Sequence, residues 1–216
     1  MVGMESASLR VYGGVTGDER RAERRAQFIE AGLELLGAQA SEPGLTVRAV
    51  CRQAGLAARY FYESFADRDA LATAVFDHVV SIIADTTLDT VRAAPLQTRP
   101  RLRAGLSNIV RVVAEDPRIG RLLFSPALST PVLVHRRVSS TRMFARLLGG
   151  QVQEFYRVEE TRQLEMLTEF LVGGFAQALT SWLNGSLELS ERELVERCVD
   201  IFETVGELTG SQQDCD

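Results

Sequence analysis

Apolar residues in this chain recur every three or four positions and never alternate for long. From Glu19 to Gln39, Phe28, Ile29, Gly32, Leu33 and Leu36 form one stripe of an amphipathic helix. The spacing returns in Val47, Val50, Cys51 and Ala54, and again in Leu71, Val75, Val79, Ile82 and Ile83. Beyond Pro95 and Pro100, which break the pattern, it continues near residues 101–115, 117–124, 131–155, 160–184 and 190–208. Pro117, Pro126, Pro131 and the turn at Asn184, Gly185 and Ser186 separate those segments. No stretch keeps a period of two long enough for a strand, so the expected fold class is all-α, with about nine helices. Residues 1–18 have no period and four glycines, which predicts a flexible arm.

Composition narrows the class. A chain of 216 residues, 45% of them hydrophobic, can fill a sizeable core. It has no apolar run of about 18 residues, and its first ten residues lack the apolar centre of a signal peptide, so a cytoplasmic protein is expected. Cys51, Cys198 and Cys215 lack metal-ligand or paired spacing and read as reduced thiols, Cys51 as a small core residue. His78 and His135 have no Glu-x-x-His or His-x-x-x-His partner, and neither a Gly-x-Ser-x-Gly elbow nor a P-loop occurs. We therefore expect no enzyme, no catalytic residue, no metal and no resident cofactor.

Charge is unevenly placed around a net −5. Residues 1–70 carry 9 Arg against 10 acids, residues 99–146 carry 10 Arg against 2, and residues 154–207 carry 4 Arg against 12. The arginine-rich block suits either an anionic ligand or pairing with the acidic block, and pairing is the preferred reading.

The densest local signal lies at residues 46–71, TVRAVCRQAGLAARYFYESFADRDAL. Thr46 is a good N-cap, Gly55 ends a short helix, a second short helix runs from about Ala57 to Ser64, and Asp67 caps a long one. Two helices across a tight turn match a helix-turn-helix, whose second helix enters the DNA major groove. On the second helix Phe61 and Phe65 share a face with Ala58 and read as core, while Arg59 and Glu63 lie opposite. Tyr60 and Tyr62 flank that line, where a tyrosine can bury its ring and offer its hydroxyl outward.

This stretch resembles the signature of TetR-type (tetracycline repressor-like) bacterial regulators, through Thr46, Ala54, Gly55, Phe61, Tyr62, Phe65, Asp67, Arg68, Asp69 and Leu71. The preceding RRAERRAQFIEAGLELLG is similar to the family's first helix, so the likeness covers about residues 20–75. It implies a helix-turn-helix domain over 19–66, a helical effector and dimerisation domain over 67–210 and a flexible tail at 211–216. It also implies DNA contacts from Thr46, Arg48, Ala57, Ala58, Arg59, Tyr60, Tyr62 and Arg68. Arg48, Arg59 and Tyr60 would face bases or backbone; Tyr62 and Arg68 would hold phosphates. Arg can grip a guanine edge with two hydrogen bonds, discriminating by about 1–3 kcal/mol. Ala57 departs from the pattern, standing where the family often has a capping Ser or Thr. Arg20, Arg21, Arg24 and Arg25 fit either backbone contacts or a solvated charge run.

A single short reading helix seldom suffices, and helix-turn-helix proteins usually bind as dimers. Leu167, Leu171, Gly174, Phe175, Ala178 and Trp182, with Leu194, Cys198, Ile201, Val205 and Leu208, form apolar stripes resembling the family's four-helix dimer interface. The middle helices would enclose an unknown small-molecule effector, with Phe76, Ile83, Phe124, Met143, Phe144, Phe155 and Phe170 as candidate lining. The preferred function is a homodimeric repressor released from its operator by that ligand. An activator of the same fold and a protein-interaction module using the helix-turn-helix as scaffold are the alternatives.

Overall fold

The computed structural model describes residues 17–38, 44–156 and 161–210, with the side chains at 154–156 and 207–210 outside that description. Residues 1–16 of the expected arm, the Ser41–Pro43 part of the first turn, the 211–216 tail with Cys215, and the side chains of Phe155 and Leu208 therefore lie outside the described residues. The described residues form nine helices and no strand. They are α1 (Gly17–Gly37), α2 (Val47–Ala54), α3 (Ala58–Ser64), α4 (Arg68–Ala93), α5 (Thr98–Glu115), α6 (Pro117–Phe124), α7 (Pro131–Tyr156), α8 (Arg162–Leu183) and α9 (Glu191–Gly210).

Most of these helices start on a side chain that accepts one of the free N–H groups of a first turn. The Thr46 hydroxyl accepts from Ala49 N–H at 3.1 Å, and Asp67 Oδ1 accepts from Ala70 N–H at 2.7 Å. Asp116 accepts from Arg118 N–H at 2.9 Å, with Pro117 opening α6, and Thr161 accepts from Leu164 N–H at 3.1 Å. Ser190 and Glu193 make a reciprocal capping box: Glu193 N–H donates to the Ser190 hydroxyl at 3.3 Å and Ser190 N–H to the Glu193 carboxylate at 3.0 Å. That hydroxyl also donates to the carboxylate, and the pair of bonds from Ser190 holds Glu193 below its ordinary pKa. Gly55 closes α2 at φ 67°, a left-handed conformation in which glycine is the least strained residue.

Two expectations change. Pro100 does not precede α5 but sits in its first turn, where the amide hydrogen it lacks would have had no helical partner. Ile82 is on the outward side of α4 rather than in its apolar face. In addition α1 begins at Gly17, so the last two residues of the expected arm are helical.

Helix α4 runs through the middle of the protein, contacting α1, α5, α6 and α7. It is the one described helix long and apolar enough to cross a membrane, and its Leu71, Val75, Phe76, Val79 and Ile83 are instead buried inside the protein. At the N-terminal end, α1 to α3 close over three interlocked rings. Phe28 meets Phe61 edge-on at 5.6 Å and Phe65 at 6.4 Å, with Val50 beneath them fully buried. Such edge-to-face pairs add about 0.5–1.5 kcal/mol to the burial itself. Two glycines let α1 approach its neighbours closely. A Cβ on Gly32 would come within 2.7 Å of Val75 in α4, and one on Gly37 would collide with Arg118 in α6.

The two charged blocks meet where α5 packs on α9. Arg99 donates to Glu203 at 2.6 Å and Asp200 at 2.7 Å, and Arg103 grips Glu196 with two bonds of 2.6 and 2.8 Å. The hydrogen bonds from Arg103 hold the Glu196 carboxyl below its ordinary range. Internal pairing thus accounts for part of the arginine-rich block.

Candidate nucleic-acid interface and internal cavity

On α3, Phe61 alone is fully buried, because the helix is short and only one of its lines meets α1. Ala57, Ala58, Arg59, Tyr62 and Glu63 are exposed, as are Thr46, Arg48 and Arg52 on the preceding helix and Arg68 at the start of α4. Ala58 therefore does not share the buried line with Phe61. Phe65 is buried, but it lies just past the helix end in extended backbone. Tyr62 is 62% exposed, its ring resting edge-on against Phe61 at 5.5 Å. Ala57 makes no side-chain capping bond.

Tyr60 behaves differently from Tyr62. It is half-buried, with the guanidinium of Arg24 at 4.5 Å and that of Arg59 at 4.6 Å over its ring. Arg59 also donates to the Tyr60 hydroxyl at 2.6 Å. Arg24 pairs with Glu63 at 3.6 Å, and Arg25 lies over Phe65 at 4.6 Å. The arginine run of α1 is thus neither a free charge run nor simply an outward face, since Arg24 and Arg25 brace α3 through its aromatic residues. Cation–π contacts at such exposed positions contribute about 0.5–1 kcal/mol each. The sequence placed Arg24 near this surface without revealing the brace, which joins residues of different helices.

A cavity of about 590 Å³ lies between α4, α5, α7 and α8, within the range of about 300–1,000 Å³ usual for small-molecule sites. Phe76, Ile83, Phe124 and Phe144 line it. Met143 packs against the core without lining the cavity, and Phe170 is 73% exposed on the outer side of α8. These two depart from the expected lining because α7 and α8 carry apolar residues over more than one face. The aliphatic lining is interrupted by Arg101, Arg137 and several hydroxyls, which the choice of aromatic residues as lining did not anticipate. Arg137 was detectable in one respect: it interrupts the α7 stripe of Leu133, Thr141, Phe144 and Leu148 at helical spacing.

Helix α6 connects the cavity to the three-helix unit. Its C-terminal residues Leu123 and Phe124 face the cavity, while Arg118 binds Glu30 of α1 at 2.7 Å and also reaches Glu34. Asp116 receives bonds from Arg118 at 2.9 and 2.7 Å, which hold its carboxyl below the ordinary range. Arg121 donates to the Gly37 carbonyl at the end of α1.

The stripes assigned to a dimer interface divide. Leu171, Phe175, Leu194 and Cys198 are buried within this chain and are its own core. Leu167, Ala178, Trp182 and Val205 are half-buried against that core, and the Trp182 indole N–H donates to the Leu189 carbonyl at 2.8 Å. Gly174 is exposed, as is Ile201 at 54%. Met166, Phe170 and Gly174, four residues apart on α8, instead form an outward apolar line.

No family model matches the chain. It is 26% identical over 170 residues to the HTH-type transcriptional regulator BetI of Burkholderia cenocepacia strain HI2424, covering 77% of this chain and 84% of that protein. A TetR-family transcriptional regulator of Streptomyces coelicolor superposes with a TM-score of 0.67 at 21% identity, over 88% of this chain and 83% of that one. The transcriptional regulator FadR of Bacillus subtilis, solved in complex with stearoyl-CoA, superposes with a TM-score of 0.66 at 15% identity, over 82% and 96%. The fold is the all-α fold shared by these regulators.

Proposed function

We propose that this chain, built on the fold of TetR-type transcription regulators, is itself a sequence-specific DNA-binding regulator that leaves its operator when a small molecule fills the cavity. The observation carrying the proposal is the α3 surface: Phe61 is anchored, while Arg59, Tyr62 and the neighbouring Arg48 and Arg68 are exposed together. That set offers guanidinium groups to base edges and to phosphate, the two contact types a groove reader combines. Arg59 rests on Tyr60 and can exchange that hydroxyl for a base or phosphate without crossing the core.

A homodimer would carry two such surfaces to two half-sites, formed through the outward line of Met166, Phe170 and Gly174 on α8 and Ile201 on α9. Filling the cavity would push on Leu123 and Phe124. Because α6 is clasped to α1 by Arg118 and Arg121, its displacement would be transmitted to the reading surface and alter the spacing between the two heads.

Selecting genomic fragments that bind the purified protein, followed by binding of the best fragment to an Arg59→Ala, Tyr62→Ala double variant, tests the proposal. Specific fragments with affinity lost in a folded double variant are expected. Undiminished affinity in a folded dimer would refute the assignment of this surface.

A further inference from the structure

We infer that the cavity takes an anion with an apolar body, and that Arg137 of α7 is the residue that neutralises it and passes its presence to α6. This deepens the reading of the cavity as the effector site and rests on it.

The charge argument begins with an imbalance. Among the described residues no acidic side chain lines the cavity to offset a guanidinium. Nη2 of Arg137 donates to two backbone carbonyls, Leu122 at 2.9 Å and Ser125 at 3.0 Å. Its Nε is buried with no hydrogen-bond partner. Among the described residues Arg137 forms no ion pair within 4 Å, whereas Arg99, Arg103 and Arg118 from the same arginine-rich block all have carboxylate partners. A half-buried guanidinium with a buried N–H left unused is costly, and an anion arriving beside it gains charge-assisted bonds. Burial accordingly lowers the pKa of Arg137 relative to an ordinary arginine.

The neighbouring hydroxyls give the anion no donor. Ser140 and Thr141 donate to the Arg137 carbonyl at 2.9 and 3.0 Å, and Thr180 donates to the Ala176 carbonyl at 2.8 Å. With those protons committed, an anion must take its bonds from the side-chain N–H groups of the lining, and among these Arg137 is the one that also holds the end of α6. Apart from Arg101, Thr87, Thr98, Gln151 and Gln177, the remaining surface, from Val80 and Ile83 to Phe144 and Leu148, is hydrocarbon and suits an apolar body.

The two carbonyls held by Arg137 belong to the end of α6 and the residue after it. A carboxylate that draws the guanidinium inward competes with that hold, at the end of α6 opposite its clasp to α1. Recognition would therefore be coupled to α6 through one side chain, and a neutral molecule of the same shape would push on Leu123 and Phe124 without competing for those two carbonyls.

The test uses the full-length protein with no DNA present. Decanoate and 2-naphthoate are compared with the alcohol and the amine of the same skeleton by calorimetry, on the wild type and on folded Arg137→Met and Arg137→Gln variants. At least one acid should bind wild type about tenfold or more tighter than its alcohol, with the amine weakest, and both variants should lose that preference. If neither acid binds, if the alcohol binds equally well, or if the variants keep the preference, the inference is wrong. Since DNA is absent, a chain that selects the acid but binds no genomic fragment would refute the regulator proposal alone. One that binds its operator and ignores the charge would refute this inference alone.

Discussion

Arg118 in α6 donates to Glu30 in α1 at 2.7 Å, across 88 positions of sequence, while two further bonds of 2.9 and 2.7 Å fix it to Asp116. One side chain thus ties the element beside the cavity to the helix that braces α3. Arg118→Ala would leave Glu30, Glu34 and Asp116 facing one another without a cation. We expect a loss of about 1–3 kcal/mol from these charge-assisted bonds, read as a lower urea midpoint. In the same variant the operator should be bound with a much smaller response to effector, measured as the ratio of DNA affinities with and without ligand.

The pH dependence of that clasp has a definite sign. Asp116 is held below its ordinary value of 3.8 by its bonds to Arg118, and Glu196 below 4.5 by its bonds to Arg103. A carboxylate whose folded pKa is depressed contributes stability above its unfolded value and loses it as the pH falls through the folded one. Acid unfolding should therefore steepen below about pH 4. An Asp116→Asn, Glu196→Gln double variant should show a shallower loss over the same window by circular dichroism.

The missing cap of α3 can be supplied. Ala57→Ser puts a hydroxyl at an extended N-cap position and should stabilise the protein by about 0.5–1 kcal/mol. The change would appear as a raised urea midpoint, and equal or lower stability would mean that the free N–H groups already have partners. Arg68→Ala, by contrast, should leave stability unchanged within about 0.5 kcal/mol. It should reduce the slope of log affinity against log salt by about one if Arg68 holds a phosphate.

Phe170 supplies the test of self-association. Being 73% exposed in the single chain, it can become Asp with little cost to the fold, whereas in a dimer the charge would be buried unpaired. Sedimentation should show a shift toward monomer, and DNA affinity should fall with it. An unchanged dimer would exclude the α8 line from the interface.

The helix pattern was readable in the sequence because local rules determine it. Thr46, Asp67, Asp116 and Ser190 each precede a helix whose apolar period begins within a few residues, and Gly55 stands where the chain needs a positive φ. The helical face of residues 58–65 likewise placed Phe61 and Phe65 in the core, where they are buried. What escaped was set by contacts between distant residues. Nothing around Arg24 shows that its guanidinium lies over Tyr60, and nothing around Arg118 shows Glu30 across from it. The α8 stripe misled for another reason: it is apolar over two faces, one turning Leu171 and Phe175 inward and one leaving Met166 and Phe170 outside. Hydrophobicity alone does not say which of two such faces the chain keeps for itself.

Gly32 and Gly37 put two unlike attachments on one helix. At Gly32 the three-helix unit leans on Val75 through hydrocarbon, and at Gly37 it is latched by Arg121 with Arg118 alongside. The exposed carboxylates of Glu30 and Glu34 open that latch to screening by added salt, whereas the hydrocarbon pivot is left intact. The head would then swing about Gly32 rather than detach, so rising ionic strength inside a cell would loosen its orientation as well as its hold on phosphate.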